Sequence, residues 1–135
     1  MSAMAAYELQ SAVYTKLTND SAIMAIVDAV WDEPDTDALY PYITMGDGTV
    51  RDKSTKTSTG AEHTFVLDIW SDDAGRMQVK EIMGLIHNCL HEQNMTVTDN
   101  HLVFIRFDYA EDFRDTEGPE PLYHGVMRFK AITTE

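Results

Sequence analysis

Two histidines, His87 and His91, stand four residues apart in a stretch whose apolar spacing is helical, so their rings point the same way. That is the ligand spacing of a helical zinc site. The intervening run is His87-Asn88-Cys89-Leu90-His91, which lacks the glutamate that serves such a site as general base. No third ligand follows at a recognisable distance. The plainer account is a partly exposed helix end, where the C-terminal dipole favours imidazolium. No metal is expected. Cys89 is the one thiol of an acidic chain, and negative surroundings raise a thiol's pKa when a nucleophile needs it lowered. A core or interface role suits it better. His63 and His124 each open a candidate strand and would meet only across a sheet. The sequence offers neither a partner for general acid–base work. Gly46-Asp47-Gly48 is not followed by the Lys-Ser/Thr or the helix of a phosphate loop, and no nucleophile elbow is present. Neither a catalytic residue nor a cofactor is expected, and the chain does not read as an enzyme.

Carboxylates are too many to mark acid–base pairs, but their distribution carries information. The 135 residues hold 23 Asp+Glu against 10 Lys+Arg, a formal charge of −13. Such a surface has no long-range attraction to a phosphate backbone or an anionic membrane, which excludes sequence-independent nucleic-acid binding as a function. Two segments concentrate the acid, residues 32–37 and 111–120. A single domain is expected, burying about two-thirds of its unfolded surface and needing no disulfide or metal to fold. The one cysteine cannot form an internal disulfide. The run Met1-Ser2-Ala3-Met4-Ala5-Ala6 lacks the basic residues and apolar core of a signal peptide, and no apolar run approaches a membrane span. An intracellular protein is the expectation.

The elements that must hold these residues are legible from periodicity. Leu9, Val13 and Leu17 predict a first helix, and Asp20 or Ser21 caps a short second one through Val27, apolar nearly all round. An acidic connection with Pro34 follows, then a strand over residues 39–45 with Pro41 at its start or on a sheet edge. Residues 46–62 are almost wholly polar, with Arg51, Lys53 and Lys56 cancelling Asp47, Asp52 and Glu62. Such a stretch inside a domain is a functional loop or a projecting two-stranded arm. Residues 63–70 alternate as a strand with Phe65, Leu67 and Ile69 on one face. Ser71-Asp72-Asp73 reads as the cap of a helix over about 73–92, stopped near Asn94, whose stripe is Val79, Ile82, Met83, Ile86 and Leu90. Thr96-Val97 is a candidate short strand. Residues 102–109 follow, with Val103, Ile105, Phe107 and Tyr109 on one face and Leu102, Phe104, Arg106 and Asp108 on the other. A loop over 110–121 leads to a last strand over 122–133, where Tyr123, Met127, Phe129 and Ala131 oppose Arg128, Lys130 and His124. The expected fold class is α+β, a mostly antiparallel sheet with helices packed on one face and a projecting polar β-arm at about 46–62 of a domain spanning 1–135.

The order and spacing of several short motifs resemble one family. They run from Leu9-Gln10-Ser11-Ala12-Val13-Tyr14-Thr15-Lys16-Leu17 through Tyr40-Pro41-Tyr42-Ile43-Thr44-Met45-Gly46, Arg51-Asp52-Lys53-Ser54-Thr55-Lys56 and Glu62-His63-Thr64-Phe65. They continue with Ile69-Trp70-Ser71, Gly75-Arg76, Lys80-Glu81-Ile82-Met83 and His124-Gly125-Val126-Met127-Arg128-Phe129-Lys130-Ala131. The chain is similar over nearly its whole length to phage and prophage tail-completion proteins of the tail-terminator type, also found in gene transfer agents. The resemblance implies an α+β subunit of a homo-oligomeric ring, typically hexameric in the particle, with a monomer when free. Such a ring caps the head-proximal end of the tail tube, stops its polymerisation and meets the head connector or stopper protein. It implies no active site. DNA would pass the channel without specific binding, and no membrane is involved. The protein would be made in a bacterial host's cytoplasm and reside at the head–tail junction. On this basis Arg51, Asp52, Lys53, Ser54, Thr55 and Lys56 are the expected contact with a neighbouring subunit or the tube. A head-side connector or stopper, or a small enzyme or ligand-binding domain using His63 and His124, are the alternatives.

Overall fold

A computed structural model describes residues 4–116 and 118–135; the expectations on Met1, Ser2 and Ala3 and on Glu117 lie outside them. Helix α1 (Ala6–Thr18) buries Leu9, Ala12, Val13 and Leu17 on one side. Asp20 does cap the next helix, its carboxylate accepting the Ile23 amide at 3.0 Å. That helix, α2 (Ser21–Met24), is a single turn that ends before Val27, and only Ile23 within it is buried. The chain then makes a short strand the periodicity did not announce, β1 (Ala29–Trp31).

Four longer strands and one helix complete the chain: β2 (Tyr42–Asp52), β3 (Gly60–Ser71), α3 (Met77–Leu90), β4 (His101–Arg114) and β5 (Tyr123–Thr134). They form one five-stranded sheet in the order β1-β2-β3-β5-β4. Only β1–β2 is parallel; the other ladders are antiparallel. Pro41, in a cis peptide bond with Tyr40, sits just before β2, as its missing N–H requires. Helices α1 and α3 cover one face, and the core lies between them and the inward residues of the strands. Phe129, Leu67, Ile69, Ile105, Ile82 and Ile86 are fully buried there. Each such side chain contributes about 1.5–3 kcal/mol on leaving water.

Helix α3 starts at Met77, not near Asp73, and Ser71 is not its cap. Ser71 is buried; its hydroxyl donates to the Gln78 side chain and accepts the Asp73 amide, stapling the strand end to the helix. The intervening loop turns at Gly75, whose φ of 95° suits glycine. The candidate strand at Thr96-Val97 is irregular chain with Val97 buried.

Strand β4 departs furthest from simple alternation. The ladder to β5 shifts register between Leu102 and Phe104 and again between Phe107 and Tyr109. Each β-bulge inserts one residue and resets the alternation. The inward set is therefore Leu102, Ile105, Phe107, Ala110 and Asp112, while Val103 and Tyr109 are 50% and 43% exposed. The strand also runs on to Arg114, so the second acidic loop begins at Asp115 instead of Ala110.

Candidate functional site

The polar stretch is a β-hairpin. Its strands extend the sheet through Arg51↔Glu62 and Asp52↔Ala61, and β5 flanks it as far as Gly60↔Thr134. Only residues 53–59 stand beyond the sheet. The tip is held by its own polar groups: the Lys53 amide donates to the Gly60 carbonyl at 2.9 Å and the Thr55 amide to Ser58 at 2.8 Å. The Ser54 hydroxyl donates to Asp52 at 2.6 Å and accepts the Gly60 amide at 3.2 Å. The chain's last residue braces it, Thr59 donating to the Glu135 carboxylate at 2.9 Å. Hydrogen bonds from Thr59 hold that carboxylate below its usual range. Of the six residues expected to make contacts, Lys53, Ser54, Thr55 and Lys56 lie on this tip, and Arg51 and Asp52 are the exposed strand residues that lead into it. Lys53 reaches Glu62 at 3.9 Å, a pair that is solvated and weak.

Among the described residues the other face of the sheet carries no helix. Across its far end one register row runs Tyr42–Trp70–His124–Phe113, a residue from each of four strands. Ring centroids are 6.5 Å apart for Tyr42–Trp70, 3.8 Å for Trp70–His124 and 4.9 Å for Phe113–His124. His124 Nε2 donates to Asp68 at 2.7 Å, and Trp70 Nε1 to Thr44 at 3.2 Å. This ladder was invisible in the sequence because no two of its members are close in the chain.

The residues singled out for chemistry do not converge. His63 faces the helix side, 2% exposed, and shares a hydrogen bond of 2.9 Å with Thr133; His124 lies on the opposite face. They do not meet. Burial lowers the pKa of His63. His91 is committed by Nδ1, which accepts the Phe107 amide at 3.0 Å, while His87 stacks on it at 4.6 Å. No group of three metal-ligating side chains occurs among the described residues. Cys89 is buried and its thiol is pushed up to about 12, chiefly by burial. A cavity of about 250 Å3 opens between α1 and the β2–β3 hairpin, walled by Leu9, Val13, Val50 and Phe65, with His63 its one titratable group. Among the described residues no helix is long and apolar enough to cross a membrane.

Asp72 and Asp73, and Asp115 and Glu120, lie in connections at the ladder end of the sheet, opposite the hairpin tip, whereas Asp32 follows the other end of β1 and accepts Gln10 at 2.9 Å. Asp112, by contrast, is tied down by Arg76 at 3.1 Å and Lys80 at 3.8 Å.

This architecture has known counterparts. Residues 11–134 match the family described as Tail completion protein gp17. The tail completion protein gp17 of Bacillus phage SPP1 is 24% identical over 127 residues, spanning 94% of this chain and 92% of that protein. A chain in the virion of a native gene transfer agent particle superposes with a TM-score of 0.88 at 29% identity, covering 99% of this chain and all of that one. The chain belongs to the tail completion protein gp17 family and is a structural component of a phage-type tail.

Proposed function

We propose that this protein is a tail terminator: a ring, six-fold by family resemblance, seated on the head-proximal end of the tail tube, where it halts polymerisation and joins the tube to the head connector. The observation that carries this reading is the match to a tail completion protein over nearly the full length of both chains. The two outer strands of the sheet support it physically, because a head-to-tail contact between unlike surfaces closes into a ring when the rotation permits. The hairpin tip, Arg51 to Lys56, reaches a neighbouring subunit or the tube's last ring. The charge of −13 suits a channel that passes DNA without holding it. The same charge makes free copies repel, so the free protein is a monomer that assembles on the tube as template.

The test is to delete the gene in the particle-producing genome and image the lysate by negative-stain electron microscopy. DNA-filled heads beside unattached tubes of irregular length are expected. Emptied heads beside tubes of normal length would instead make the protein a head-side stopper. Intact particles would refute both roles.

A further inference from the structure

The sheet has two outer edges, and they differ in a way that specifies a contact. On one side β1 pairs with β2 only at residues 42–44, so residues 45–52 have no outward strand partner among the described residues. On the other side β4 is the outer strand for all its length, but its middle is capped. The Ile105 carbonyl accepts the Glu92 amide at 2.7 Å, and the Phe107 amide donates to His91. The open part of β4 within reach of pairing is therefore residues 108–114, and the β2 edge is regular over residues 48–52, beyond the bulge between Met45 and Gly48. The two are antiparallel in a head-to-tail arrangement, since β2 and β4 run in opposite senses within the sheet.

Charge fits the same match. Arg51 is the one cation of residues 45–52; across residues 108–114, Asp108 is paired with Arg128 and Lys130 and Asp112 with Arg76 and Lys80, which leaves Glu111 as the carboxylate with no cation beside it among the described residues. Arg51 and Glu111 are both exposed and both project from the helix-free face, as their register partners Glu62 and Val126 require. Among the described residues the Glu111 carboxylate has one hydrogen-bond partner, Tyr109, which donates to it at 2.6 Å and is itself exposed.

Resting on the ring assignment above, we propose that the β2 edge of one copy adds to the lower half of β4 of the next, with Arg51 opposite Glu111 of that second copy. Main-chain hydrogen bonds supply the affinity and the charges select the partner edge. Residues His91 and Glu92 act as a stop that confines the incoming strand to residues 108–114.

The experiment is a charge swap in particles. Arg51→Glu and Glu111→Arg singly should each cut the yield of joined particles by about tenfold or more, and the double variant should restore it to within about twofold. Melting curves of the free variants verify folding. On the unaltered chain, hydrogen exchange compares free protein with assembled tails; peptides over 45–52 and 108–114 should both slow by about tenfold or more. Rings visible at the tube end with those edges still exchanging freely, or with no rescue by the swap, would overturn the pairing and leave the terminator role standing. Absence of any ring at the end of wild-type tubes would overturn both.

Discussion

Gly125 lies in β5 directly beneath α3, and the close approach of helix and sheet depends on its missing side chain. A Cβ built there would come within 2.7 Å of Val79 Cγ1, 2.8 Å of Met83 Cε and 3.4 Å of Ile69 Cβ. Carbon atoms settle at about 3.5–4.0 Å, so the first two contacts overlap by close to an ångström. Met83 can swing its terminal methyl aside, but Val79 is fully buried and β-branched, and its side chain moves only with the helix. Gly125→Ala should therefore cost about 1–3 kcal/mol as an overpacked core site. For a chain of 135 residues that is a fall in Tm of about 4–10 °C. Gly84 is the internal control. It sits in the same helix, exposed, with nothing within 4 Å of its built Cβ. Gly84→Ala should raise stability by about 0.5–1 kcal/mol through helix propensity. Thermal and urea melts of both variants give the opposite signs directly. Val79→Ala combined with Gly125→Ala should be less destabilising than the sum of the two, by about 1 kcal/mol or more. An additive double variant, or a Gly125→Ala protein as stable as the parent, would refute the claim that this contact sets the helix–sheet spacing.

Three further outcomes are expected. Burial lowers the folded pKa of His63, so the unfolded chain takes up the proton first. Stability is then level above about pH 6.5 and declines as pH falls below it, and Tm scanned from pH 8 to 5 should fall less steeply in His63→Gln. The Cys89 thiol, pushed up to about 12 and buried, should resist Ellman's reagent at pH 8 in the native protein and react fully in denaturant. Replacing residues 53–60 with Asn-Gly leaves Asp52↔Ala61 closed by a two-residue turn; the free protein should keep its Tm to within about 3 °C, while joined particles counted by electron microscopy should vanish.

The strongly periodic elements were readable in advance. The α3 stripe, the inward faces of β3 and β5 and the Asp20 cap all follow from local pattern, and they account for most of the core. The failures share a cause. β1 is three residues long and exists because Tyr42–Thr44 lie beside it, a pairing no local window contains. The bulges at Val103 and Asp108 reset the alternation of β4 without any residue type that signals them. The polar run at 46–52 is strand because β3 is paired on both sides, a tertiary override of weak propensity. For the site, composition located the hairpin tip, Arg51 to Lys56, since a charge-balanced stretch stands out in an acidic chain. The aromatic row and the open half of β4 were not legible, because each is assembled by register between distant strands.

The β3–β5 ladder is the unbroken seam of the sheet. Its twelve pairs run from Gly60↔Thr134 to Ser71↔Tyr123 with no shift, whereas both flanking antiparallel ladders are interrupted. Inter-strand hydrogen bonds lie across the strands. Tension along the strands is then shared by the whole row at once, while a pull across them meets the bonds one after another. The sheet is a girder with a strong axis, stiff when loaded end to end and easily unzipped from the side. A particle that places this axis along the line of force at the joint between its parts gains tensile strength without a single covalent cross-link.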